Sequence, residues 1–229
     1  MQAVILAAGK GTRMKELTKD TPKPMLTLNG KSLLECKIDL LPEEVTEIVF
    51  VVGYYGNQIR DYFGDKYKDL KVTYVIQDDL NGTGGAVHLV KDVVGEKFMV
   101  MMGDDLYHPE DMKNIANQDL AILACEVESP IGYGVFDIDE DGNLISIMEK
   151  NTDPENKLIN TGLYVLNQNF FNYDLVPISD TEFGLPQTLV EMAKDFPVKI
   201  ERAKLWQPVG NPEELKKAEE VLGKFLIRN

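Results

Sequence analysis

Short apolar runs alternate with helical patterns over residues 1–102, and this order constrains the fold more than any other feature of the sequence. The runs of strand length are Ala3–Ala7, Glu47–Val52, Lys71–Gln77 and Lys97–Met102. Between them lie segments with apolar residues at helical spacing, which are Ser32–Leu41, Gly56–Phe63 and Gly82–Val94. Strands that alternate with helices pair in parallel and place helices on both faces of the sheet. The sequence therefore predicts an α/β fold with three layers, α/β/α.

The second half of the chain has strands without long helices between them. These strands are Leu120–Glu126, Gly134–Ile138, Leu144–Glu149 and Ile159–Leu166. Gly142 lies in a turn of the kind that joins antiparallel strands. Helices follow over Gly184–Lys194 and Pro212–Leu226, and Asn211 has the side chain of an N-cap. We therefore predict a mainly parallel central sheet with a mixed extension, in a single domain that spans residues 1–229.

The chain has a negative net charge overall, but its first 40 residues carry a net positive charge. The 229 residues carry 24 Lys and Arg against 38 Asp and Glu, a net charge of −14. This balance argues against nucleic acid and acidic membranes as partners, because both require a broad basic face. Residues 1–40 nevertheless hold seven basic and four acidic residues. The excess of positive charge there predicts a local site for a small anion.

The cysteines and histidines form no recognisable disulfide or metal pattern. Cys36 and Cys125 are far apart among apolar or helical neighbours, so we interpret both as small core residues in a reducing environment. His88 and His108 have no second ligand at a metal-binding spacing. No apolar segment reaches the ~18 residues that span a bilayer, and the N-terminus lacks the basic and apolar regions of a signal peptide. We therefore expect a cytoplasmic protein.

A glycine-rich turn follows the first predicted strand. The basic residues around Gly9 and Gly11 are Lys10, Arg13 and Lys15. Glycines let backbone N–H groups approach phosphate oxygens closely, and the cations attract them. A dinucleotide-binding turn would need a third glycine where this chain has Met14, and a P-loop would need Gly-Lys-Ser/Thr, which is absent. A plain turn would not account for three basic residues, so we predict a phosphate site of another kind.

Lys23 lies between two prolines, Pro22 and Pro24. Proline fixes its own φ and restricts the residue before it, so we predict that Lys23 lies on a rigid extended segment. A lysine held in this way brings its charge to a defined point. Beside the glycine turn, it is predicted to belong to the same anion site.

These two segments together resemble the signature of a known family. Residues 6–14, Leu-Ala-Ala-Gly-Lys-Gly-Thr-Arg-Met, and residues 22–25, Pro-Lys-Pro-Met, are similar to the hallmark of sugar-1-phosphate nucleotidylyltransferases, and most of all to glucose-1-phosphate uridylyl- and thymidylyltransferases. Further matches follow in the family's order: Gln77 with residues 82–86, Gly103 with Asp104, residues 132–134, Glu149 with Lys150, and residues 160–162. The resemblance implies a Rossmann-like fold of the nucleotide-diphospho-sugar transferase type. Residues 1–110 would bind the nucleotide, and residues 111–229 would bind the sugar and supply a C-terminal helix.

The resemblance also implies a reaction and its partners. A pyrimidine nucleoside triphosphate, UTP or dTTP, and a sugar 1-phosphate such as glucose 1-phosphate would give a nucleotide-sugar and pyrophosphate, with Mg²⁺ as cofactor. N-acetylglucosamine 1-phosphate stays open as the sugar substrate. A homo-oligomer is left open. Two alternatives also stay open: CMP transfer to a phosphorylated amino alcohol such as phosphocholine, and a catalytically degenerate regulatory subunit that binds a nucleotide-sugar.

The nucleotide side of the implied site lies in the first half. The triphosphate would lie against the backbone of Leu6, Ala8, Gly9, Gly11 and Thr12. Arg13 would hold the departing pyrophosphate, and Lys23 would bridge the α-phosphate and the sugar phosphate. Gln77 would read the edge of the base with its amide, beside Gly82 and Thr83. Asp104, the third predicted catalytic residue with Arg13 and Lys23, would hold Mg²⁺, which takes one or two carboxylates plus substrate phosphates.

The sugar side of the implied site lies in the second half. Glu149, Asn160 and the Gly134 backbone would bind sugar hydroxyls, and Lys150 would contact the sugar phosphate.

One position departs from the family pattern. Many members have an Asp in a Trp-x-Asp-x-Gly segment as a second metal ligand, where this chain has Pro208. We consider three explanations: Asp104 holds the metal with water and phosphates alone, Asp105 or Gln207 contributes, or activity is weak.

Overall fold

A computed structural model of the chain describes residues 1–149 and 156–226. The strands of its main sheet are β1 (Gln2–Ala7), β2 (Glu47–Val52), β3 (Lys66–Tyr67), β4 (Leu70–Ile76), β5 (Lys97–Met102), β6 (Ala121–Glu126), β7 (Val135–Ile138), β8 (Leu144–Met148), β9 (Leu158–Asn167) and β10 (Lys199–Arg202). The α-helices are α1 (Leu33–Asp39), α2 (Gly56–Phe63), α3 (Gly82–His88), α4 (Pro109–Ala116), α5 (Leu185–Met192) and α6 (Pro212–Phe225). Short 3₁₀ segments cover Thr12–Thr18, Lys23–Met25 and Gln168–Asn172. Small two-stranded pairs join Thr27–Leu28 to Lys31–Ser32, Leu106–Tyr107 to Trp206–Gln207, and Val176–Pro177 to Phe183–Gly184.

The sheet is mainly parallel in its first half, where the short edge strand β3 runs antiparallel to β4, and it is mixed in its second half, as predicted. Its order is β8-β7-β9-β5-β1-β2-β4-β3, and β6 and β10 extend it from β9. Strand β1 pairs in parallel with β2 and β5, and β2 pairs in parallel with β4. Strand β9 runs antiparallel to β5 and β6, and β7 and β8 form an antiparallel hairpin. The carboxyl ends of β1, β2, β4 and β5 therefore meet at one edge of the sheet.

Two apolar cores cover the two faces of the sheet. Along β1, Ala3 and Ile5 point to one core, and Val4 and Leu6 point to the other, because successive strand residues face opposite sides. Buried residues of α1, α2, α4 and α6 complete the first core, and those of α3 and α5 complete the second. The three-layer α/β/α prediction is therefore confirmed.

Most predicted elements begin and end within two residues of the observed ones. Gly142 has φ 76° in the turn between β7 and β8, and the Asn211 side chain accepts a hydrogen bond from the Glu214 N–H at the start of α6. Helix α3 ends at His88, six residues before the predicted end, and turns follow it. Helix α4 and strand β10 were not predicted, because each is short and gives little periodic signal.

The structure also tests the predictions about the cysteines, the histidines and membrane-spanning segments. Cys36 is buried as predicted, whereas Cys125 is only partly buried. His108 caps α4, where its Nδ1 accepts a hydrogen bond from the Glu110 N–H at 3.3 Å. None of the helices in the described part of the chain is long and apolar enough to cross a bilayer.

Candidate active site

The glycine turn and the turn of Gly103 and Asp104 lie side by side at the edge of the sheet where the parallel strands have their carboxyl ends. Leu6 of β1 pairs with Met102 of β5, and the Gly103 N–H donates to the Leu6 carbonyl at 2.9 Å. Gly103 has no room for a side chain, because a Cβ there would lie 2.8 Å from the Leu6 oxygen. Asp104 thus lies just beyond the end of β5, beside the start of the glycine turn. Ligands of open α/β sheets bind at this edge.

The glycine turn presents free backbone donors. No acceptor in the described part of the chain takes a hydrogen bond from the N–H groups of residues 9–12. Gly9 and Thr12 are exposed, and Gly11 has φ 62°, a left-handed conformation that favours glycine. Successive unpaired N–H groups in such a turn make a concave site for an anion. This arrangement agrees with the predicted phosphate site.

Lys23 lies against this turn and forms an ion pair with Asp104. Its side chain packs on Gly11, where a Cβ would lie 2.9 Å from the Lys23 Cβ. Lys23 is only 7% exposed, so its ammonium group is held at one point. The prediction of an extended conformation at Lys23 was wrong. Pro22 and Leu26 are extended, and residues 23–25 between them form a 3₁₀ turn, in which the Met25 N–H donates to the Pro22 carbonyl.

Arg13 is exposed on the same side of the site. It lies in the 3₁₀ segment that follows the glycine turn, and its guanidinium group is beside Gly210. A Cβ at Gly210 would lie 3.6 Å from the Arg13 Nη1. Among the described residues, no carboxylate lies within salt-bridge distance of the Arg13 guanidinium group. The described part of the site therefore includes an unpaired cation.

The predicted base-recognition residues follow β4 and are tied to the start of α5. Gln77 is buried, and its Nε2 donates to Asn81 Oδ1 at 3.0 Å and to the Gly82 carbonyl at 3.2 Å. Gly82 has φ 88°, and a Cβ there would lie 2.4 Å from the Phe183 oxygen. Thr83 Oγ1 accepts a hydrogen bond from the Leu185 N–H at 3.1 Å. The glycine at 82 is therefore required by protein packing, in addition to any role toward a base.

The end of β2 connects these residues to the glycine turn. A Cβ at Gly53 would lie 2.9 Å from the Ala8 oxygen and 3.1 Å from the Gln77 oxygen. The Tyr54 N–H donates to the Ala8 carbonyl at 3.2 Å. Gln77 and the glycine turn thus form neighbouring parts of one edge.

Three of the four predicted sugar-binding residues come together on the other side of β5. The Asn160 N–H donates to the Gly134 carbonyl at 2.9 Å, and a Cβ at Gly134 would lie 3.0 Å from Glu149 Oε1. A bulge in β9 packs Gly162, with φ 78°, against Met102 at the end of β5. This contact brings the cluster next to the Asp104 turn. Lys150 lies outside the described residues.

Asp105 binds the segment of residues 206–209, which includes Pro208. Its Oδ1 accepts from the Val209 N–H and its Oδ2 accepts from Trp206 Nε1–H, both at 3.2 Å. Lys37 donates to the Asp105 carbonyl. Withdrawal from water raises the pKa of the Asp105 carboxyl and lowers the pKa of the Lys37 ammonium. Asp105 therefore fixes the C-terminal segment against the end of β5.

Sequence reasoning missed Lys37, although the sequence contains a signal for it. Lys37 occupies the apolar face of α1 together with Leu33, Leu34 and Ile38, and it is 2% exposed. A lysine at such a position indicates a buried acceptor nearby, because an unpaired ammonium group is costly to bury.

The contacts around Asp104 and Asp105 bear on the metal ligand set. Both carboxylate oxygens of Asp105 already accept protein hydrogen bonds, and Gln207 Nε2 donates to the Pro208 carbonyl at 2.7 Å. No donor in the described part of the chain bonds to Asp104 Oδ1. The described residues contain no group of three or more His, Cys, Asp or Glu side chains placed to hold a metal. Asp104 Oδ1 thus remains available as one oxygen ligand of the kind that Mg²⁺ combines with water and phosphates. The explanation in which Asp104 holds the metal with water and phosphates alone stays a prediction.

Replacing Asp105 with alanine is expected to destabilise the protein by about 3 kcal/mol, because it leaves the Val209 and Trp206 N–H donors without their acceptor and removes a negative charge near the buried Lys37 ammonium. For a domain of this size the melting temperature should fall by roughly 6–12 °C. Thermal unfolding monitored by circular dichroism measures the change. Asp119→Ala, at an exposed aspartate, is the matched control and should shift the melting temperature by less than about 2 °C. Equal melting temperatures for the two variants would contradict the docking role of Asp105.

The fold and this edge of the sheet define an α/β protein with a glycine turn of unpaired N–H groups at the carboxyl ends of parallel strands. The model of the nucleotidyl transferase family matches residues 2–224. The chain therefore belongs to that family, and the predicted resemblance is confirmed.

Individual relatives agree with this assignment. The chain is 33% identical over 225 residues to the bifunctional protein GlmU of Methanocaldococcus jannaschii, which covers 97% of this chain and 54% of the relative. It is 34% identical over 180 residues to the UTP–glucose-1-phosphate uridylyltransferase AglF of Haloferax volcanii, which covers 75% of this chain and 74% of the relative. The chain thus spans about half the length of several curated relatives it matches.

A solved structure confirms the fold. A UDP-glucose pyrophosphorylase complexed with UDP-glucose superposes with a TM-score of 0.86 at 23% identity, over 97% of this chain and 98% of the other. At this level of identity the similarity concerns the fold alone.

Proposed function

We propose that this chain transfers a nucleotidyl group from a nucleoside triphosphate to a sugar 1-phosphate and releases pyrophosphate. The observation that carries the proposal is the position of Lys23. Its ammonium group is held between the glycine turn and Asp104, with the cluster of Gly134, Glu149 and Asn160 on the other side of β5. A cation at this point can contact the phosphates of both substrates. The two anions can then meet in a protein whose net charge is −14.

The reaction needs positioning and charge neutralisation more than covalent catalysis. An oxygen of the sugar phosphate attacks the α-phosphorus and forms a new P–O bond. The bond between the α-phosphorus and the bridging oxygen breaks, and pyrophosphate leaves with that electron pair. Lys23 would hold the attacking and the attacked phosphates together, and the free N–H groups of residues 9–12 would orient the triphosphate. Arg13 would stabilise the charge that grows on the pyrophosphate.

Asp104 is the residue proposed to hold Mg²⁺, which when bound would neutralise charge on the triphosphate. Lys23 contacts the same carboxylate, so Asp104 would hold both the Lys23 ammonium and the metal close to the substrate phosphates.

Base and sugar choice are proposed from the residues beside each half of the site. Gln77 retains its carbonyl oxygen as an acceptor, while its N–H₂ group is occupied by Asn81 and Gly82. A pyrimidine with an N–H at its edge, as in UTP or dTTP, suits this acceptor. Glu149 offers a carboxylate to sugar hydroxyls, and the relative AglF is named for UTP and glucose 1-phosphate. We therefore propose UTP or dTTP with glucose 1-phosphate.

Pyrophosphate release from defined substrate pairs tests the proposal. Purified protein with Mg²⁺ is mixed with each nucleoside triphosphate and with glucose 1-phosphate, N-acetylglucosamine 1-phosphate or phosphocholine. We expect release with UTP or dTTP and a sugar 1-phosphate, and at least tenfold less with CTP and phosphocholine. Release only with CTP and phosphocholine would favour cytidylyl transfer. No release with any pair would favour a regulatory subunit.

A further inference from the structure

We infer that Gln187 is a positioning residue that holds Glu149 for the sugar 1-phosphate, and this inference rests on the proposed function. Gln187 lies in the first turn of α5, and its Nε2 donates to Glu149 Oε1 at 2.8 Å. Glu149 is the first residue after β8 and is otherwise exposed. A carboxylate at the end of an edge strand has several rotamers available, and a hydrogen bond from a fixed donor selects one of them.

The Gln187 side chain is itself held in place. Its carboxamide folds back over Gly184, where a Cβ would lie 1.8 Å from Gln187 Oε1 and 2.6 Å from its Cδ. Only glycine at 184 leaves space for this conformation. The backbone around it is also fixed, because Thr188 Oγ1 donates to the Gly184 carbonyl at 2.8 Å.

The conformation of Gln187 leaves one of its polar atoms without a hydrogen bond, which is energetically unfavourable. Its Oε1 is buried and has no hydrogen-bond partner among the described residues. Turning the carboxamide over would not resolve this, because the oxygen would then face the Glu149 carboxylate. A buried acceptor without a partner is unfavourable, and proteins keep such groups where another requirement outweighs the loss. Here that requirement is the donor that Gln187 directs at Glu149.

The Glu149 carboxylate also packs beside Gly134. Glu149 Oε1 occupies space next to Gly134, where a side chain would come within 3.0 Å of it. The Gly134 carbonyl accepts the Asn160 N–H, so the carboxylate lies between α5 and the residues of the proposed sugar cluster. Gln187 thus acts through Glu149 and is placed to affect sugar binding without contacting the triphosphate site.

The test compares variants of Gln187 in steady-state kinetics of pyrophosphate release. Gln187→Met keeps the length of the side chain and removes its donor, and Gln187→Glu places a second carboxylate against Glu149. We expect KM for glucose 1-phosphate to rise about tenfold in Gln187→Met and further in Gln187→Glu. We expect kcat and KM for the nucleoside triphosphate to change by less than twofold. In a Glu149→Ala background, Gln187→Met should cause no further rise.

A second glutamine provides the matched control. Gln118 Nε2 donates to Glu201 Oε1 at the same 2.8 Å, away from the site. Gln118→Met should leave both KM values unchanged. Equal KM values for glucose 1-phosphate in wild type and Gln187→Met, with an active wild type, would overturn this inference and leave the proposed function intact. An equal rise of KM for glucose 1-phosphate and for the nucleoside triphosphate in Gln187→Met would show a structural role and would also overturn this inference. An inactive wild type would overturn the proposed function and this inference together.

Discussion

Lys23→Ala is expected to lower turnover at least tenfold, which corresponds to ~1.4 kcal/mol of activation free energy. The ammonium group is the cation that the structure holds between the glycine turn and Asp104, and it is 7% exposed. Alanine removes the charge and also the stem that packs on Gly11. Because Lys23 is proposed to contact both phosphates, kcat should fall with either substrate in excess. Initial rates of pyrophosphate release measure the effect.

The control for this variant is a lysine outside the site. Lys91 is exposed after α3, and Lys91→Ala should retain the wild-type rate within twofold. Circular dichroism and the melting temperature show whether Lys23→Ala keeps its fold. A folded Lys23→Ala variant with wild-type turnover would remove Lys23 from the catalytic residues.

Asp104→Asn is the second variant with a large expected effect, again at least a tenfold loss of turnover. Asparagine keeps the size of the side chain and removes the negative charge that Mg²⁺ requires. The loss should be greatest at low Mg²⁺, and the Mg²⁺ concentration for half-maximal rate should rise. Titration of the rate of pyrophosphate release with Mg²⁺ gives both quantities. Asp119→Asn, at an exposed aspartate, is the matched control and should follow the wild-type titration.

The combination of the two variants adds a further check. Lys23 and Asp104 are in contact, so their effects on the activation free energy should not add. We expect the fold-loss of turnover in the double variant to be smaller than the product of the fold-losses in the two single variants. A wild-type Mg²⁺ titration in Asp104→Asn would exclude Asp104 as the metal ligand.

Much of the fold follows from local patterns in the sequence. Strand β2 and helix α2 have the predicted bounds, because unbroken apolar runs and helical spacing are signals that lie within a few residues. The 3₁₀ turn at Lys23 was not predicted, because a proline on each side is compatible with both an extended chain and a tight turn. Strand β10 is four residues long, and its strand character depends on pairing with β6, which lies far away in the sequence.

Some residues of the candidate site were likewise proposed from the sequence, and others became apparent only in the structure. The glycine turn and Lys23 were proposed from the local pattern of glycines, prolines and basic residues, whereas Asp104 and Glu149 were proposed from the family resemblance. Gln187 has no such pattern and becomes visible only through its contact with Glu149. Asp105 was considered as a metal ligand, whereas in the structure its carboxylate binds the 206–209 segment.

The sequence by itself determined the kind of fold, the family and the chemical groups available to the site. Backbone periodicity, proline and glycine act over a few residues, so their consequences can be read along the chain. Only the tertiary structure decided which of those groups meet. The Lys23 ammonium reaches Asp104 across 81 residues, and Gln187 reaches Glu149 across 38. Such contacts depend on how strands are ordered and on which side chains fit together after burial, and short-range preferences do not specify either.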